Sequence, residues 1–516
     1  MKWRRGMTER KGAFWIWFVG FLGIVCIHSV WEMQNDRPEI WDMAHHQLMG
    51  WSYLQAWNQG ELLQRFGEIS EYYPPLYYLK EAAVLALFGW EGFSPLLANL
   101  PGLFLLSFFT YRLASTFLRP IAAALAGLWV LLLPMVAWLS RESLLDVTLG
   151  GWVVFACWLL HKSRGFERLD YSILFGLAAG FGMLTKWTFA LFLLTPALWT
   201  LFQGEGIRRR ALHALAALLA SIPLWAGWYW ENLPLLYSRF QTTGEAAILE
   251  RDPPFWHPLG WFYYIRCLSS YYLFLPLTLL AAYAFADWKS LARGSSRWIL
   301  APLLGGWFLL TLLQAKDPRY ILPLAGLLVM LMLAPLQNSL RAMGLMTALA
   351  CGQFLAVSFP IPLTPGKIAL FSQEPDPDYA NLAREWVFFT PDYLGVTGPP
   401  RREDWCHSRI VELVGNESRV AFIPDAPFFH PTALLLEAVR RGRTIEVYRV
   451  GGEENFVPAL NSASWAVGKT GLQGISYITR FNERVYSFLE KENWQLAASC
   501  PLPDGSEARI WRNPIR

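Results

Sequence analysis

Two stretches that follow the first apolar segment decide the fold: Trp41-Asp42-Met43-Ala44-His45-His46 and Glu71-Tyr72-Tyr73-Pro74-Pro75-Leu76-Tyr77-Tyr78. The first places a carboxylate just beyond a predicted membrane span, and the second sets a stiff Pro-Pro step among tyrosines. Charged and rigid groups at the water edge of a bilayer indicate one wall of a polar site rather than a linker. We expect six further residues to line this cavity: His46, Glu71, Tyr73, Pro74, Pro75 and Tyr77.

The composition predicts a polytopic membrane protein. The chain has 516 residues, of which 54% are hydrophobic and 16% charged, with 27 tryptophans, and its mean hydropathy is +0.27. Such a chain is too apolar for a soluble protein with a charged surface, so the lipid bilayer is its expected surrounding. The net charge of +4 is spread out, without a basic cluster interleaved with aromatics. Nucleic acid is therefore not an expected partner.

About eleven apolar windows predict membrane-spanning helices. They centre on residues 13–31, 95–117, 120–139, 146–162, 171–186, 187–203, 211–230, 267–286, 298–315, 320–336 and 342–360. The first window follows a basic segment, as in a signal peptide, but it is long and lacks a small-x-small cleavage site. We interpret it as an uncleaved first helix.

The orientation follows from basic residues on alternate loops, which stay in the cytoplasm. With the N-terminus inside, the inner loops hold Arg112, Arg119, Lys162, Arg164, Arg168, Arg208, Arg209, Arg210, Lys289, Arg293, Arg297 and Arg341. An odd number of spans then places the tail from Ile361 outside. We expect an integral protein of a bacterial inner membrane, with a cytoplasmic N-terminus and a periplasmic C-terminal domain.

A change in composition divides the chain into two predicted domains. Residues 1–360 form the transmembrane domain, whose first outer loop, 32–94, belongs to the active site, and residues 361–516 form an extracytoplasmic α/β domain. Its predicted strands are Ser418 to Ile423, Thr444 to Val450 and Glu507 to Trp511, and its predicted helices are Thr432 to Arg441 and Asn482 to Glu492. Cys406 and Cys500 lie in this tail, and the sequence leaves open whether they form a disulfide.

Ionisable residues collect at the predicted outer ends of the spans. A charge at the centre of a bilayer costs on the order of 2.5–3.5 kcal/mol, so such residues indicate function. They are Asp42, Glu71, Arg141, Glu142, Asp146, Lys186, Glu231, Lys316, Asp317 and Arg319. This one-sided mixture predicts a polar cavity that opens to the outer face. The alternative is that each is an ordinary interfacial residue.

Individual residues have both a functional and a structural interpretation. Asp42 has the chemistry of a general base, or it caps the helix that follows. Asp146 likewise opens a predicted span. Lys186 ends a glycine-spaced helix, Gly176 to Thr185, whose small residues predict close helix packing and whose lysine we expect at the outer surface. The turn Lys316-Asp317-Pro318-Arg319 places two cations where a phosphate can bind.

These motifs occur in an order that resembles a known family. Trp41-Asp42, Tyr73 to Tyr78, Arg141 to Asp146, Gly180 to Lys186 and Lys316 to Pro323 are similar to elements of GT-C-type membrane glycosyltransferases, in the protein-mannosyltransferase-like and aminoarabinose-transferase-like branch. The resemblance covers about residues 13–335. The sequence departs from the pattern at Met43, Tyr73 and Trp187, which leaves the donor sugar, the acceptor and any metal open.

The resemblance implies transfer of a sugar from a polyprenyl-phosphate donor to a hydroxyl of a protein, lipid or glycan, on the outer face and with inversion. Asp42 would be the base, and Asp146 would either orient the acceptor or hold a divalent ion (Mg, Mn or Zn) with Asp42. The donor phosphate would bind the cations Lys186, Arg319, Arg141 and Lys316. Two other classes stay open from the residues alone: a transporter or lipid flippase, and a non-catalytic scaffold.

Overall fold

The computed structural model describes residues 2–70, 72–203, 205–286, 297–362, 366–370, 386–393, 397–452 and 454–515. The chain divides into two compact units. The first comprises Met1–Trp31, Ser52–Leu87 and Phe93–Pro399, and the second comprises Glu32–Trp51, Phe88–Gly92 and Pro400–Arg516. These units are not the two continuous ranges, 1–360 and 361–516, that the composition predicts.

Packing explains why the first unit extends beyond residue 360, as far as Pro399. In the first unit, strand β1 (Ile368–Leu370) pairs with β2 (Trp386–Phe389) in an antiparallel ribbon. The ring of Phe389 lies 5.0 Å from that of Phe274, and the ring of Tyr393 lies 5.2 Å from that of Tyr271. The segment thus buries its aromatic side chains against membrane helices, although its composition is that of the tail.

Helices build most of the chain. The first thirteen are α1 (Lys2–Gln34), α2 (Trp41–Asn58), α3 (Leu62–Arg65), α4 (Leu76–Phe88), α5 (Pro95–Ala114), α6 (Pro120–Leu132), α7 (Pro134–Leu139), α8 (Asp146–Lys162), α9 (Leu169–Met183), α10 (Phe189–Leu201), α11 (Ile207–Leu249), α12 (Pro258–Cys267) and α13 (Phe274–Ala286). A π-helix, Leu268–Leu273, joins the last two. Further helices span Arg297–Leu312, Pro318–Leu324 (3-10), Ala325–Leu333 and Leu340–Ser358.

Local sequence explains where several of these helices begin. Proline occupies the first helical position of α5, α6 and α12, where a missing N–H costs nothing. At α5, the side chain of Ser94 also accepts a hydrogen bond from the Leu97 N–H at 3.2 Å. These helix starts are therefore encoded locally.

The helices identify an integral membrane protein. Among the described residues, five helices are long and apolar enough to cross a bilayer: Thr8–Gln34, Pro95–Ala114, Ile207–Leu249, Pro258–Ala286 and Leu340–Ser358. Five apolar helices are shorter: Pro120–Leu132, Leu169–Met183, Phe189–Leu201, Trp298–Leu312 and Pro318–Leu333. Every predicted window coincides with helix. The predicted outer connection 231–266 is different, because α11 continues to Leu249 and α12 fills much of the rest.

Close packing of α9 against α11 confirms the expectation from its glycines. A Cβ atom at Gly176 would lie 2.0 Å from the backbone oxygen of Ala217. At Gly180, it would lie 2.6 Å from a methyl of Leu224. Only residues without a side chain allow the two backbones to approach so closely.

The second unit contains a five-stranded sheet with the order β4-β3-β5-β7-β6. Its strands are β3 (Ser418–Phe422), β4 (Ile445–Arg449), β5 (Trp465–Lys469), β6 (Gln495–Pro501) and β7 (Glu507–Arg512). β3 is parallel to β4 and β5, whereas β7 is antiparallel to β5 and β6. Helices His407–Val414, Pro431–Arg440, Val457–Ser462 and Asn482–Lys491 accompany the sheet. The predicted α/β character of the tail is confirmed.

Apolar packing and a disulfide hold this unit together. Ala421, Ala466 and Leu489 belong to a buried core between the sheet and its helices. Cys406 and Cys500 form a disulfide across 94 residues of sequence. The four other cysteines are free.

Candidate active site

A buried salt bridge joins two of the predicted site residues. Asp146 is the first residue of α8, and Lys186 follows the end of α9. The Lys186 Nζ donates to the Asp146 Oδ1 at 2.9 Å, and the side chains are only 6% and 3% exposed. The sequence predicts Lys186 at the outer surface, because it follows the end of a helix. In the structure its side chain is buried instead. The paired carboxylate offsets the cost of burying the ammonium.

Two tyrosines cover the Lys186 ammonium. Its Nζ lies 5.4 Å from the ring centre of Tyr73 and 4.9 Å from that of Tyr320. Both distances are within the range of a cation–π interaction. The N–H of Leu76 also donates to the carbonyl oxygen of Leu184 at 3.0 Å, which fixes the Pro-Pro segment to the end of α9. Segments that are far apart in the sequence therefore converge on one ammonium.

The next turn along the site contains a second acid–base pair. Asp317 caps the 3-10 helix and accepts hydrogen bonds from Nε and Nη2 of Arg319 at 2.9 and 2.7 Å. The Tyr393 hydroxyl donates to the same carboxylate at 3.3 Å. Burial raises the pKa of the Asp317 carboxyl, but Arg319 and Lys186 outweigh it and hold the pKa below its usual value. The carboxylate is therefore charged and orients the guanidinium.

Lys316 binds the end of the preceding helix. Its Nζ donates to the carbonyl oxygen of Thr311 at 2.8 Å and to that of Leu313. Its backbone N–H donates to Asp252 at 2.7 Å. Burial lowers the pKa of Lys316 to about 8, although the Asp252 carboxylate opposes the shift. These contacts are structural, and phosphate binding by Lys316 stays a prediction.

Arg141 is buried among residues of the first and last membrane helices. Its Nε donates to the Nδ1 of His28 at 2.8 Å, and its Nη2 donates to the hydroxyl of Ser358 at 2.5 Å. The guanidinium also lies 4.8 Å from the ring centre of Trp31. Contact between Arg141 and a donor phosphate therefore also stays a prediction.

Asp42 lies in the first turn of α2, in the second compact unit, with an exposed side chain. Contacts within that unit fix the residue before it. The Trp41 N–H donates to the Nε2 of His430 at 2.9 Å, and its indole donates to the Oδ1 of Asp425 at 3.2 Å. His46 is buried on the same helix. The role of Asp42 as a base stays a prediction.

The remaining predicted cavity residues belong to the Pro-Pro segment. Pro74, Pro75 and Tyr77 are buried. Glu71 lies outside the described residues. The segment leads into α4, and the described part of it is a packed element rather than a linker.

Two further residues beside these elements, Lys80 and Tyr320, are not predicted as site residues from the sequence. Lys80 in α4 donates to the carbonyl oxygen of Ala98 at 2.9 Å and contacts the hydroxyl of Thr148, two residues after Asp146. Its presence in a short apolar helix was the available signal, since such a lysine is costly there. The sequence does not predict Tyr320 as a partner of Lys186, because a tyrosine next to an arginine is common and does not indicate which cation its ring will contact.

The Asp146 carboxylate, a predicted ligand of a divalent ion, already has a cationic partner. The Lys186 ammonium binds its Oδ1 and repels a second cation. Within the described ranges, His, Cys, Asp and Glu side chains do not form a group of three or more that suits a metal. The ion considered from the sequence stays a prediction, and no step below depends on it.

A comparison with protein-family models supports the resemblance that the motifs indicate. The model of the dolichyl-phosphate-mannose-protein mannosyltransferase family matches residues 73–230, less than half of the chain. This match covers the Pro-Pro segment, Asp146 and Lys186. This match, the curated relatives and the solved structures together confirm the resemblance to GT-C-type membrane glycosyltransferases of the aminoarabinose-transferase-like branch.

Two curated relatives are undecaprenyl phosphate-alpha-4-amino-4-deoxy-L-arabinose arabinosyl transferases. The one from Aeromonas hydrophila is 26% identical over 246 residues, which is 41% of this chain and 40% of the relative. The one from Yersinia enterocolitica is 25% identical over 276 residues, which is 48% and 46% of the two chains. The similarity thus spans less than half the length of these relatives.

Solved structures extend the likeness over nearly the whole chain. ArnT from Cupriavidus metallidurans bound to undecaprenyl phosphate gives a TM-score of 0.58 at 15% identity, covering 96% of this chain and 98% of that chain. Its apo state gives a TM-score of 0.54 at 16% identity, with coverages of 98% and 97%. At such identity, the comparison establishes a shared fold.

Proposed function

We propose that this protein is an integral-membrane glycosyltransferase that transfers a sugar from a polyprenyl-phosphate donor to an acceptor hydroxyl, with inversion. One observation carries the proposal: Asp146, Tyr73 of the Pro-Pro segment and Tyr320 of the 318–324 segment all contact the buried ammonium of Lys186. These four elements bear the motifs of the family that the comparisons independently support. The relatives that act on undecaprenyl-phosphate-linked aminoarabinose favour a donor of the same lipid class.

The proposed reaction is a single displacement. The acceptor oxygen forms a bond to the anomeric carbon while the bond from that carbon to the phosphate oxygen breaks, and the lipid phosphate leaves with the electron pair. The acceptor proton passes to a carboxylate, which we assign to Asp42. Lys186 and Arg319 stabilise the charge on the leaving phosphate, and Asp146 and Asp317 position these two cations. The isoprenoid tail binds among apolar helices, at about 0.8 kcal/mol per buried CH₂.

We further propose that eleven segments span a bacterial inner membrane, with the N-terminus in the cytoplasm and the residues after 360 in the periplasm. The alternation of basic loops supports this orientation. The Cys406–Cys500 disulfide supports it as well, because disulfides persist outside the reducing cytoplasm. Reaction of single engineered cysteines with a membrane-impermeant reagent tests it: a cysteine at Arg341 must stay protected in intact spheroplasts, and one at Arg443 must react.

The function is tested with the full chain in liposomes that contain a polyprenyl-phosphate-linked sugar. Released polyprenyl phosphate measures transfer. We expect Asp42→Asn to lower the rate by about 10²–10⁴, the usual contribution of a general base. Asp36→Asn is the control, because Asp36 is another exposed acid between α1 and α2. Transfer by Asp42→Asn at the wild-type rate would exclude the role of Asp42, and absence of transfer by the wild type with every donor would overturn the proposal.

The same assay separates the enzyme from the transporter or flippase alternative, which the comparisons do not support. A flippase moves the intact donor and releases no lipid phosphate. Movement of a fluorescent donor across the liposome without release of phosphate would therefore favour that alternative.

A further inference from the structure

A polar cavity lies at the end of α8 that is opposite Asp146. It has a volume of about 640 Å³, and its lining includes Lys162, Arg164, Arg168, Thr200, Gln203 and Arg210. Because α8 has 17 residues and a helix rises 1.5 Å per residue, roughly 25 Å separate this cavity from Asp146. The cavity is therefore distinct from the proposed donor site. We call it the basic pocket.

The charges of the basic pocket are only partly compensated. Arg210 pairs with Glu167 at 2.5 Å, and Arg168 pairs with Asp170 at 2.7 Å. Among the described residues, Lys162 and Arg164 form no ion pair. The pocket thus has an excess of positive charge that attracts an anion.

Arg210 shows where an anion would bind. It is only 7% exposed. Its Nη1 donates to the Thr200 carbonyl and its Nη2 to Glu167. Within the described part of the chain, its Nε finds no hydrogen-bond partner. A buried guanidinium N–H without a partner costs on the order of 1–3 kcal/mol. Arg210 also lines the cavity, so its guanidinium contributes positive charge there. The general excess of Lys and Arg in cytoplasmic loops explains exposed basic residues. It does not explain a buried Arg210 whose Nε has no hydrogen-bond partner among the described residues.

The surroundings of the basic pocket are those of a lipid site. Large apolar side chains next to its lining residues are exposed: Leu169 is 44%, Trp199 47% and Phe202 71% exposed. In a membrane protein, such side chains face acyl chains. The phosphate of a phospholipid could therefore bind in the basic pocket while its acyl chains contact these exposed apolar side chains. Basic pockets between membrane helices bind anionic headgroups in this way.

We propose that the basic pocket binds the phosphate headgroup of an anionic membrane phospholipid. Arg210 and Arg164 contact the phosphate, Lys162 adds charge, and the acyl chains lie along the exposed apolar side chains near Trp199. The predicted topology places this pocket at the cytoplasmic leaflet, at the opposite end of α8 from the Asp146–Lys186 pair. The lipid stabilises the inner ends of α8, α10 and α11 together.

The test is a titration of the full chain in neutral detergent, followed by native mass spectrometry. Phosphatidylglycerol is the probe, with phosphatidylcholine and inorganic phosphate as comparisons. The pocket variant is Lys162→Gln/Arg164→Gln, which leaves the Arg210–Glu167 pair intact. The control is Arg119→Gln/Arg341→Gln, which removes two exposed cations on the same predicted side but outside the pocket. We expect the pocket variant to bind phosphatidylglycerol on the order of thirtyfold more weakly, and the control within about twofold of the wild type.

Three results would overturn the proposal. Equal losses in the pocket variant and the control would mean general attraction to positive charge. Equal binding of phosphatidylcholine would mean that the anionic charge is not recognised. Displacement of phosphatidylglycerol by equimolar inorganic phosphate would mean a site for the free ion. If the pocket variant melts at a lower temperature without lipid, the single exposed change Arg164→Gln serves instead. It must bind phosphatidylglycerol more weakly than the wild type and the control, and binding equal to theirs would overturn the proposal.

Discussion

The Asp146 carboxylate accepts a hydrogen bond from the Lys186 ammonium at 2.9 Å, although 40 residues separate the two in the chain. Both side chains are almost completely buried. Each charge therefore depends on the other, since removal of one partner leaves the other charge buried without compensation. This dependence makes the pair accessible to a double-mutant cycle.

Lys186→Met is expected to lower the free energy of unfolding by about 3–5 kcal/mol, because it leaves the Asp146 carboxylate unpaired. Asp146→Asn/Lys186→Met removes both charges and should restore most of that loss. The rate of transfer should fall in both variants, because the leaving phosphate loses one of its two proposed cations. Thermal unfolding and release of lipid phosphate measure the two effects. The single variant Asp146→Asn completes the cycle. If the stability losses of Asp146→Asn and Lys186→Met add up to the loss of the double variant, the two residues do not form a pair.

The two cations of the 316–319 turn are expected to differ. Arg319→Gln should raise the KM for the donor lipid about 10- to 100-fold, because a charge-assisted hydrogen bond contributes about 1.5–3 kcal/mol. Lys316→Met should mainly lower the melting temperature, because Lys316 binds the carbonyls of Thr311 and Leu313. Initial rates at varied donor concentration distinguish them. A larger KM effect for Lys316→Met than for Arg319→Gln would reverse this assignment.

Gly176→Ala is expected to destabilise the membrane unit by about 1–3 kcal/mol, since the new methyl would meet the Ala217 carbonyl of α11. Gly227→Ala is the control within α11, because a Cβ there meets nothing within 4 Å. It should be neutral or slightly stabilising, as alanine favours helix. Apparent melting temperatures in detergent measure the difference. Equal melting temperatures for the two variants would show that α9 and α11 do not pack so closely.

Cys406→Ser/Cys500→Ser is expected to lower the stability of the C-terminal unit by about 2–4 kcal/mol, because the disulfide closes a long loop. Reductant should lower the melting temperature of the wild type and leave that of the double variant unchanged. Cys351→Ser is the control, since Cys351 is free and partly exposed. A wild-type protein that is insensitive to reductant would contradict a stabilising bond.

The stability of the C-terminal unit is expected to fall in mild acid. Burial lowers the pKa of His430 to about 3 and that of His407 to about 4. Since an unfolded histidine titrates near 6.5, the unfolded state binds more protons below that pH. Stability is therefore lost as the pH falls from about 6.5 to about 4 for His407 and to about 3 for His430. Each histidine contributes a loss of up to about 2 kcal/mol at pH 5.

His430→Gln isolates this effect from other titrations. Burial raises the pKa values of Asp425 and Glu39, and such carboxyls change stability in the opposite sense as the pH falls. The difference between wild type and variant removes their contributions. We expect the variant to lose less stability than the wild type between pH 7 and pH 5. An identical pH dependence of the two melting curves would show that His430 is not buried in its neutral form.

Much of the fold follows from local sequence. Every predicted membrane window is helical, and the predicted strands Ser418 to Ile423 and Thr444 to Val450 are β3 and β4. Strands β5 and β6 are not predicted from the sequence, because Gly468 interrupts β5 after only three residues and because alanine and proline weaken the strand pattern of β6. These elements gain their structure from pairing with β7.

The amino-acid sequence by itself determined which segments are apolar helices and which residue types the site has, because hydropathy and helix propensity act within a few turns of chain. Only the tertiary structure decided the partners of two distant pairs, Lys186 with Asp146 and Arg141 with His28. Arg319 and Asp317 lie two residues apart, so their pairing is local. The two distant contacts join residues that are 40 and 113 positions apart in the sequence. The choice of partner depends on the packing of several helices at once, and spacing along the chain does not encode it.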